Sequence, residues 1–155
     1  MSSYILDLRK AVGCRTLLQV GASVIVINAR EEMLLQLRSD NRCWAYAGGS
    51  VELDEEVEAA ARRELREETG LIAGELILYG VFSGPDTHYV YPNGDEVSCV
   101  DIVYVCRDYS GDLDPEPGEV EELRFFAPDA LPQPLSPPVE KIIRRFASEM
   151  WKGGS

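Results

Sequence analysis

The segment "GGSVELDEEVEAAARRELREETGL", residues 48–71, constrains the fold more than any other part of the chain. Apolar residues recur at helical spacing over residues 55–69, which predicts a helix with one face toward a core. The same segment carries eight acidic residues and three arginines. At 3.6 residues per turn, Glu64, Glu67 and Glu68 fall on or beside the apolar stripe. The sequence therefore predicts three carboxylates at the edge of a core.

Such a cluster is unfavourable in three ways. Carboxylates at this spacing repel one another, partial burial costs free energy, and the C-terminal end of a helix disfavours negative charge. One interpretation is a helix end that is open to water. The other is that a bound cation compensates the charge, and oxygen-only ligands favour Mg²⁺, with Mn²⁺ as a substitute, over zinc. Arg63 lies four residues before Glu67 and can pair with it.

These residues resemble the Nudix box. The chain has Gly, five residues, Glu, seven residues and then Arg-Glu-Leu-x-Glu-Glu-x-Gly-Leu. The matching positions are Gly49, Glu55, Arg63, Glu64, Leu65, Glu67, Glu68, Gly70 and Leu71. The order of elements before and after the box also suits the family, so the resemblance covers all but about the first fifteen residues. In "WAYAGG", Ala47 replaces the proline that the family often has before the box, which affects no ligand.

The resemblance implies an α/β fold of the Nudix type, an α/β/α sandwich with a mixed sheet between helices. It also implies an enzyme that hydrolyses a nucleoside diphosphate linked to another group. Arg63 would orient the glutamates, and Glu55 would contribute at the metal site or through its water shell. Carried over by position, the metal ligands would be Glu64, Glu67, Glu68 and a backbone carbonyl at or near Gly49.

Patterning outside the box predicts the remaining elements. We expect an N-terminal helix that stops at Gly13, a strand over residues 17–28 covered on both faces, and a strand over 31–39 that pairs with it. A short strand should end at Gly48 and Gly49, where the acidic helix begins. Further strands follow, with a hairpin at Asn93-Gly94, and a final helix over 139–151. The chain is predicted to be a single domain, 1–155, with residues 1–15 as a short helical extension.

Composition excludes some classes of partner. The net charge of −12 argues against nucleic acid and anionic membranes. No run approaches the 18 apolar residues expected of a membrane span, and the N-terminus lacks the apolar region of a signal peptide. The four cysteines form no C-x-x-C pair, which favours free thiols in a reducing compartment. We therefore expect a cytoplasmic protein with a small-molecule, nucleotide-type substrate, and both a monomer and a homodimer stay open.

Two tyrosines are candidates for substrate binding. Tyr89 and Tyr91 are two residues apart, so on a strand they share one face. That face either borders the pocket and stacks on a base or sugar, or packs in the core or against a second subunit. Arg38, at the end of the second apolar strand, is a further candidate contact for the substrate.

A carboxylate outside the box is a candidate general base. Glu119 follows Gly118 before the strand-like "ELRFF", and it matches the position of a loop glutamate at the metal site of the family's oxidised-guanine nucleotide hydrolase. A loop carboxylate could accept a proton from the attacking water or ligate a further metal ion. Glu122 is the principal competitor, and a base within the box is the third alternative.

Two other functional classes compete with hydrolysis. An isoprenoid-diphosphate isomerase with a related box needs a reactive cysteine and a glutamate flanking an alkene, and this sequence does not place such a pair. A catalytically silent ligand sensor or interaction module would keep the fold without the chemistry. Such modules can lose the glutamates, whereas all of them are present here. The identity of the substrate is left open.

Overall fold

The computed structural model describes residues 3–153 of the chain. The helices are α1 (Tyr4–Val12), α2 (Val57–Thr69) and α3 (Glu140–Gly153), with a short 3-10 helix at Pro85–Thr87. The strands are β1 (Leu17–Val26), β2 (Met33–Arg38), β3 (Trp44–Ala45), β4 (Ala47–Ser50), β5 (Ile72–Ala73), β6 (Ile77–Phe82), β7 (His88–Val90), β8 (Glu96–Cys106), β9 (Tyr109–Ser110) and β10 (Val120–Phe126).

A mixed sheet in the order β4-β1-β8-β6 lies at the centre of the molecule. β1 is parallel to β8, while β4 and β6 run antiparallel to their neighbours, and β7 forms a hairpin with β8. The strands β10, β2 and β3 form a second sheet, and β5 and β9 pair with each other. Gly94 has a φ of 93° in the β7–β8 turn, so the hairpin predicted at Asn93-Gly94 is confirmed.

The side chains of β1 alternate between two apolar cores. Val24 and Val26 pack with residues of α2, including Ala61. Ile25 packs on the other side, with Phe146 of α3. Because successive side chains of a strand point to opposite faces, both faces of β1 are covered from residue 21 onward, as its apolar run predicts, whereas Leu18 and Val20 nearer its start are exposed. Helices thus cover both sides of the mixed sheet, and the predicted α/β/α sandwich is confirmed.

The prediction that the second apolar strand pairs with the first is wrong. β2 pairs with β10 and β3, and only a single bridge, Ile27 with Met33, joins it to the end of β1. A strand has two edges, and those of β1 are already taken by β4 and β8. The sequence indicates that both strands are buried, but it does not indicate which edges they share.

The start of the acidic helix also differs from the prediction. Gly48 and Gly49 lie inside β4 instead of ending the strand, and α2 begins at Val57 after a loop. Asp54 has a φ of 61° in that loop, which breaks any helix upstream. The helix ends at Gly70, whose φ is 81°, as predicted from its position after Thr69.

The terminal helices agree with the sequence. α1 ends at Gly13, whose N–H donates to the carbonyl of Arg9. α3 buries Ile142, Ile143 and Phe146 on one face. Within the described residues, no helix is long and apolar enough to cross a membrane.

Candidate active site: an acidic groove beside a cleft

The glutamates of α2 lie at different depths because of how the helix packs. Ala60, Ala61 and Leu65 are fully buried against β1 and β4. Glu68 follows Leu65 on the inner side and is only 8% exposed. Glu64 is half-buried at the same edge, and Glu67 is more open to solvent. The three carboxylates line one groove, as their position beside the apolar stripe predicts.

The two glycines of β4 make room for these carboxylates. A Cβ at Gly49 would lie 2.5 Å from both carboxylate oxygens of Glu64, so a side chain there would displace the glutamate. A Cβ at Gly48 would overlap the side chain of Ser23 on β1. The two glycines therefore allow α2 and β1 to approach β4 closely from either side.

Glu68 is held in place by two hydrogen bonds. The backbone N–H of Gly48 donates to its Oε1 over 2.7 Å, and Nε2 of Gln36 donates to its Oε2 over 3.1 Å. Burial nevertheless raises the pKa of Glu68 to about 8, and the charge of Glu64 adds to the rise. The Oε1 of Gln36 is buried and has no hydrogen-bond partner among the described residues. A negative charge at Glu68 is therefore costly without further compensation.

Arg63 connects the box to its own loop. Its Nε and Nη2 donate to the two carboxylate oxygens of Glu55 over 2.8 and 2.9 Å, and Nη2 also donates to the Ser50 carbonyl. Its Nη1 donates to Glu64 over 2.8 Å and lies 3.5 Å from Glu67. The guanidinium thus orients two of the predicted ligands. Glu55 itself binds Arg63 and the N–H of Glu52, so the structure places it beside Arg63.

Two acids of the loop before β10 extend the groove. Glu116 and Glu119 both line it, with Glu119 the more exposed of the two. Burial raises the pKa of Glu116, and the charges of Glu119 and Glu67 raise it further. Glu122 does not line the groove and instead forms an ion pair with Arg124 on β10.

The N-terminal helix forms another wall of the groove. Ser3, Ile5, Leu6 and Arg9 line it opposite the box. Arg9 ties α1 to the hairpin, since its guanidinium donates to the carbonyls of Gly13, Arg15 and Glu96. Among the described residues, seven acids and three arginines line this groove.

A cleft adjoins the groove and shares Arg38, Gly48 and Gly49 with it. Tyr89 and Tyr91 line the cleft and meet edge to face, with ring centroids 5.0 Å apart. The two rings are therefore on the same side, as their spacing predicts.

Arg38 stands where the groove and the cleft meet. Burial lowers its pKa, but the paired hydrogen bonds to Asp40, of 3.0 and 2.9 Å, outweigh that effect and keep the pKa above its ordinary value. The negative charge of Glu68 acts in the same direction. A permanent cation thus lies between the carboxylates and the aromatic rings.

Three comparisons place this arrangement among known proteins. Residues 17–146 match the model of the NUDIX domain. The chain belongs to the Nudix family. An ADP-ribose pyrophosphatase from Methanocaldococcus jannaschii is 37% identical over 132 residues, which cover 83% of this chain and 72% of the relative. The NAD-capped RNA hydrolase NudC of Deinococcus radiodurans is 30% identical over 144 residues, which cover 88% of this chain and 47% of that protein.

Solved structures agree with the Nudix assignment. The crystal structure of a MutT NUDIX hydrolase from Burkholderia pseudomallei superposes with a TM-score of 0.71 and 31% identity, covering 83% of this chain and 97% of that one. The predictions of a Nudix enzyme, a pyrophosphohydrolase by family, and of its fold are confirmed. The chain spans about half the length of the NudC relative.

The Nudix groove suits a divalent cation by its chemistry. Its donors are carboxylates, and both Glu64 and Glu68 have a pKa raised by burial, so their anionic forms lack compensation. Within the described part of the chain, no three such side chains converge closely enough to hold an ion. Arg63 draws Glu64 and Glu67 toward itself, while Gly48 and Gln36 hold Glu68. The carboxylates suit a hard cation by their chemistry, and Glu64 and Glu67 would have to rotate away from Arg63 to reach it.

Two residues of the site have only a weak signal in the sequence. Gln36 contacts Glu68 from β2, and Asp101 lines the cleft from β8. Both lie within runs that read as buried strands. A polar residue inside an apolar strand is the only available indication, and it does not show which cavity the residue lines.

Proposed function

We propose that the chain is a Mg²⁺-dependent hydrolase, with Mn²⁺ as a substitute, that cleaves the diphosphate of a nucleoside diphosphate linked to another group. The observation that carries the proposal is the excess of carboxylates, seven acids against three arginines, along one groove. A diphosphate and this groove are both anionic, so they can associate only through cations. Bound divalent ions would polarise the phosphoryl oxygens and lower the pKa of a bound water.

In this proposal the protein's own residues position the cation and the carboxylates that bind it. Glu64, Glu67 and Glu68 would hold the cation together with the carbonyl of Gly49, and Arg63 would keep Glu64 and Glu67 oriented between turnovers. Fixed geometry of this kind supplies much of the rate enhancement in phosphoryl chemistry.

The proton of the attacking water needs an acceptor. Glu119 is our candidate, because it lines the groove from a loop whereas Glu122 is paired with Arg124 outside it. Glu116 is a second carboxylate at the same place, and its raised pKa favours proton uptake. The sequence did not distinguish Glu116 from the other acids of this loop.

The cleft is the proposed site for the nucleoside. Arg38 can contact a phosphate oxygen at the junction, because its charge is permanent and its paired bonds to Asp40 use only Nε and Nη2 of its five N–H donors. Tyr89 and Tyr91 can contact the base or sugar with an aromatic face. The cleft opens onto the groove at Gly48 and Gly49, so one molecule can occupy both.

A hydrolysis screen tests the proposal. ADP-ribose, NAD, nucleotide sugars, dinucleoside polyphosphates and nucleoside triphosphates are incubated with the protein in Mg²⁺, in Mn²⁺ and in a chelator, and products are identified by mass spectrometry. We expect cleavage of at least one diphosphate that stops in chelator. If no diphosphate is cleaved with either metal, the protein is not a hydrolase of this class.

The domain organisation, cellular location and oligomeric state of the protein are also proposals. We propose that residues 1–155 form one domain and that the four free cysteines work in a reducing compartment, the cytoplasm. Exposed apolar residues on the edge strand β6, Ile77 and Val81, are compatible with a homodimer. Light scattering at micromolar concentration distinguishes a monomer from a dimer.

A further inference from the structure

The floor of the cleft contains a buried carboxylate that the proposed hydrolysis does not use. Asp101 is 5% exposed and lies on β8, opposite Gly21 of β1. Ser23 Oγ donates to its Oδ1 over 2.7 Å, and the hydroxyl of Tyr46 donates to its Oδ2 over 2.6 Å. Gly21, Ser23, Tyr46 and Asp101 all line the cleft, and we call these four residues its floor.

Those two bonds fix the polarity of the floor. A hydroxyl has one hydrogen, and both hydroxyls direct theirs to Asp101. Toward the cleft, the carboxylate and the two hydroxyl oxygens can therefore only accept hydrogen bonds. The thiol of Cys99 lines the cleft beside them, and burial raises its pKa to about 12, so it stays neutral and donates only weakly.

Gly21 leaves this floor open to the cleft. A Cβ at Gly21 would lie 3.5 Å from Asp101 Oδ1 and 3.5 Å from Cys99 Sγ, which is ordinary van der Waals contact. A methyl group would thus fit without displacing its neighbours. It would lie beside the carboxylate, on the strand that lines the cleft.

We propose that Asp101 is a specificity-determining residue that selects nucleotides whose base presents amino N–H groups to the floor of the cleft. The proposal rests on the proposed function, because it takes the cleft as the nucleoside site. The floor presents acceptors, so a base with an exocyclic amino group can pair with them. A carbonyl oxygen at the same ring position would face those acceptors with no hydrogen between them, and a buried mismatch of that kind is strongly disfavoured.

A structural role for Asp101 makes a different prediction. If the carboxylate only joins β1, β8 and Tyr46, its replacement changes stability but not the choice between bases. The ratio of affinities for an amino base and its oxo counterpart therefore separates the two roles. Loss of stability alone would leave that ratio unchanged.

The experiment measures binding of nucleoside monophosphates by calorimetry in Mg²⁺, because a monophosphate has no diphosphate bond that could be turned over. AMP is compared with IMP and CMP with UMP, pairs in which an oxo group replaces the amino group, and GMP is compared with IMP, which lacks its 2-amino group. The wild-type protein should bind the amino member at least about tenfold more tightly in one comparison or more. Asp101→Asn, which offers a donor in place of an acceptor, should abolish or reverse that preference. Asp129→Asn, an exposed acid of the loop after β10 that does not line the cleft, is the matched control.

A second variant keeps Asp101 intact. Gly21→Ala should weaken the preferred nucleotide at least about tenfold by covering the floor, while the melting temperature stays close to wild type. Equal affinity for amino and oxo bases in the wild-type protein overturns the proposal. So does an unchanged preference in Asp101→Asn or unchanged binding in Gly21→Ala. If no monophosphate binds while diphosphates are still hydrolysed, the base-recognition proposal fails and the hydrolase proposal stands.

Discussion

The acidic groove and the cleft beside it both contain buried carboxylates, but they compensate them differently. In the groove, Glu64 and Glu67 share a single guanidinium, Arg63, which also binds Glu55, while Glu68 receives the neutral donors of Gly48 and Gln36. In the cleft, Asp101 receives a hydroxyl hydrogen on each oxygen. The groove therefore has fewer positive than negative charges, whereas the cleft has only a few hydrogen-bond acceptors without a donor. The contrast teaches that a ligand's chemistry can be inferred from what a buried carboxylate still lacks.

The pKa values of the two regions show the same difference. Burial raises the pKa of both Glu68 and Asp101. Hydrogen bonds lower the pKa of both, from Gly48 and Gln36 to Glu68 and from Tyr46 and Ser23 to Asp101, but only for Glu68 does a neighbouring negative charge, that of Glu64, add to the rise. A cation would compensate two neighbouring anions, which supports the metal ion proposed for the groove, and the neutral bonds to Asp101 support the neutral donor proposed for the cleft.

The largest effect expected is that of Glu68→Gln. It removes the most buried charge of the groove, and we expect hydrolysis to fall at least ~10²-fold, the scale of losing a major electrostatic contact. The fold should be kept and stability can rise. The new amide can still accept from Gly48, and a flipped Gln36 can accept from it with its unpaired Oε1.

Steady-state rates and melting temperatures check this prediction. Glu58→Gln, on the exposed face of the same helix, is the control and should keep the wild-type rate. Activity near wild type in Glu68→Gln would contradict the assignment of the groove as the metal site.

Arg63→Lys tests whether orientation matters in the groove. A lysine keeps the charge but cannot hold Glu55, Glu64 and Glu67 together, because it lacks the planar fork of donors. We expect the rate to fall about 10- to 100-fold, since small displacements of catalytic groups have effects of this size. Arg62→Lys is the control, because Arg62 pairs with Glu58 on the exposed side. Equal rates for the two variants would show that charge alone is sufficient.

Glu119→Gln should lower kcat at least ~10-fold and flatten the acid limb of the pH–rate profile, because a general base is lost on its protonation at low pH. Glu116→Gln and Glu122→Gln are measured beside it. An effect only in Glu116→Gln or only in Glu122→Gln moves the role to that residue. If all three keep the wild-type profile, the base lies within the box.

The smallest effect is expected in the cleft. Tyr89→Ala should raise KM about 3- to 10-fold and change kcat little, since an aromatic contact contributes about 0.5–1.5 kcal/mol to binding. Tyr89→Phe keeps the ring and removes only the hydroxyl that accepts from Asn41, so its KM should stay near wild type. An unchanged KM with a lowered melting temperature would favour a packing role for the ring.

The sequence predicts the groove better than the cleft, and the reason is physical. Glu64, Glu67 and Glu68 lie on one helix, where a period of 3.6 residues fixes their relative positions. Asp101 and Ser23 come from strands 78 residues apart in the chain, joined by a parallel pairing that no local pattern encodes. The same limitation produced the wrong partner for β2.

The loop that contains Glu116 and Glu119 is intermediate between these two cases. Its acids are visible in the sequence, but their proximity to Glu67 depends on how the loop packs on α2. The backbone N–H of Glu116 donates to the carbonyl of Glu68 over 3.3 Å, and that of Asp114 donates to the carbonyl of Thr69 over 2.8 Å. Bonds of this kind, between a loop and the end of a helix, carry no sequence signature.

The N-terminal helix gives the groove a wall that can move separately from the sandwich. None of the nine residues of α1, all of which the structure describes, is buried, and the helix precedes the matched Nudix region. A segment with little buried surface can open locally at a small fraction of the free energy of global unfolding. Arg9 and the bond from the Tyr4 N–H to Glu52 are then what keep it closed. Local opening of α1 would therefore widen the groove without displacing the backbone of α2.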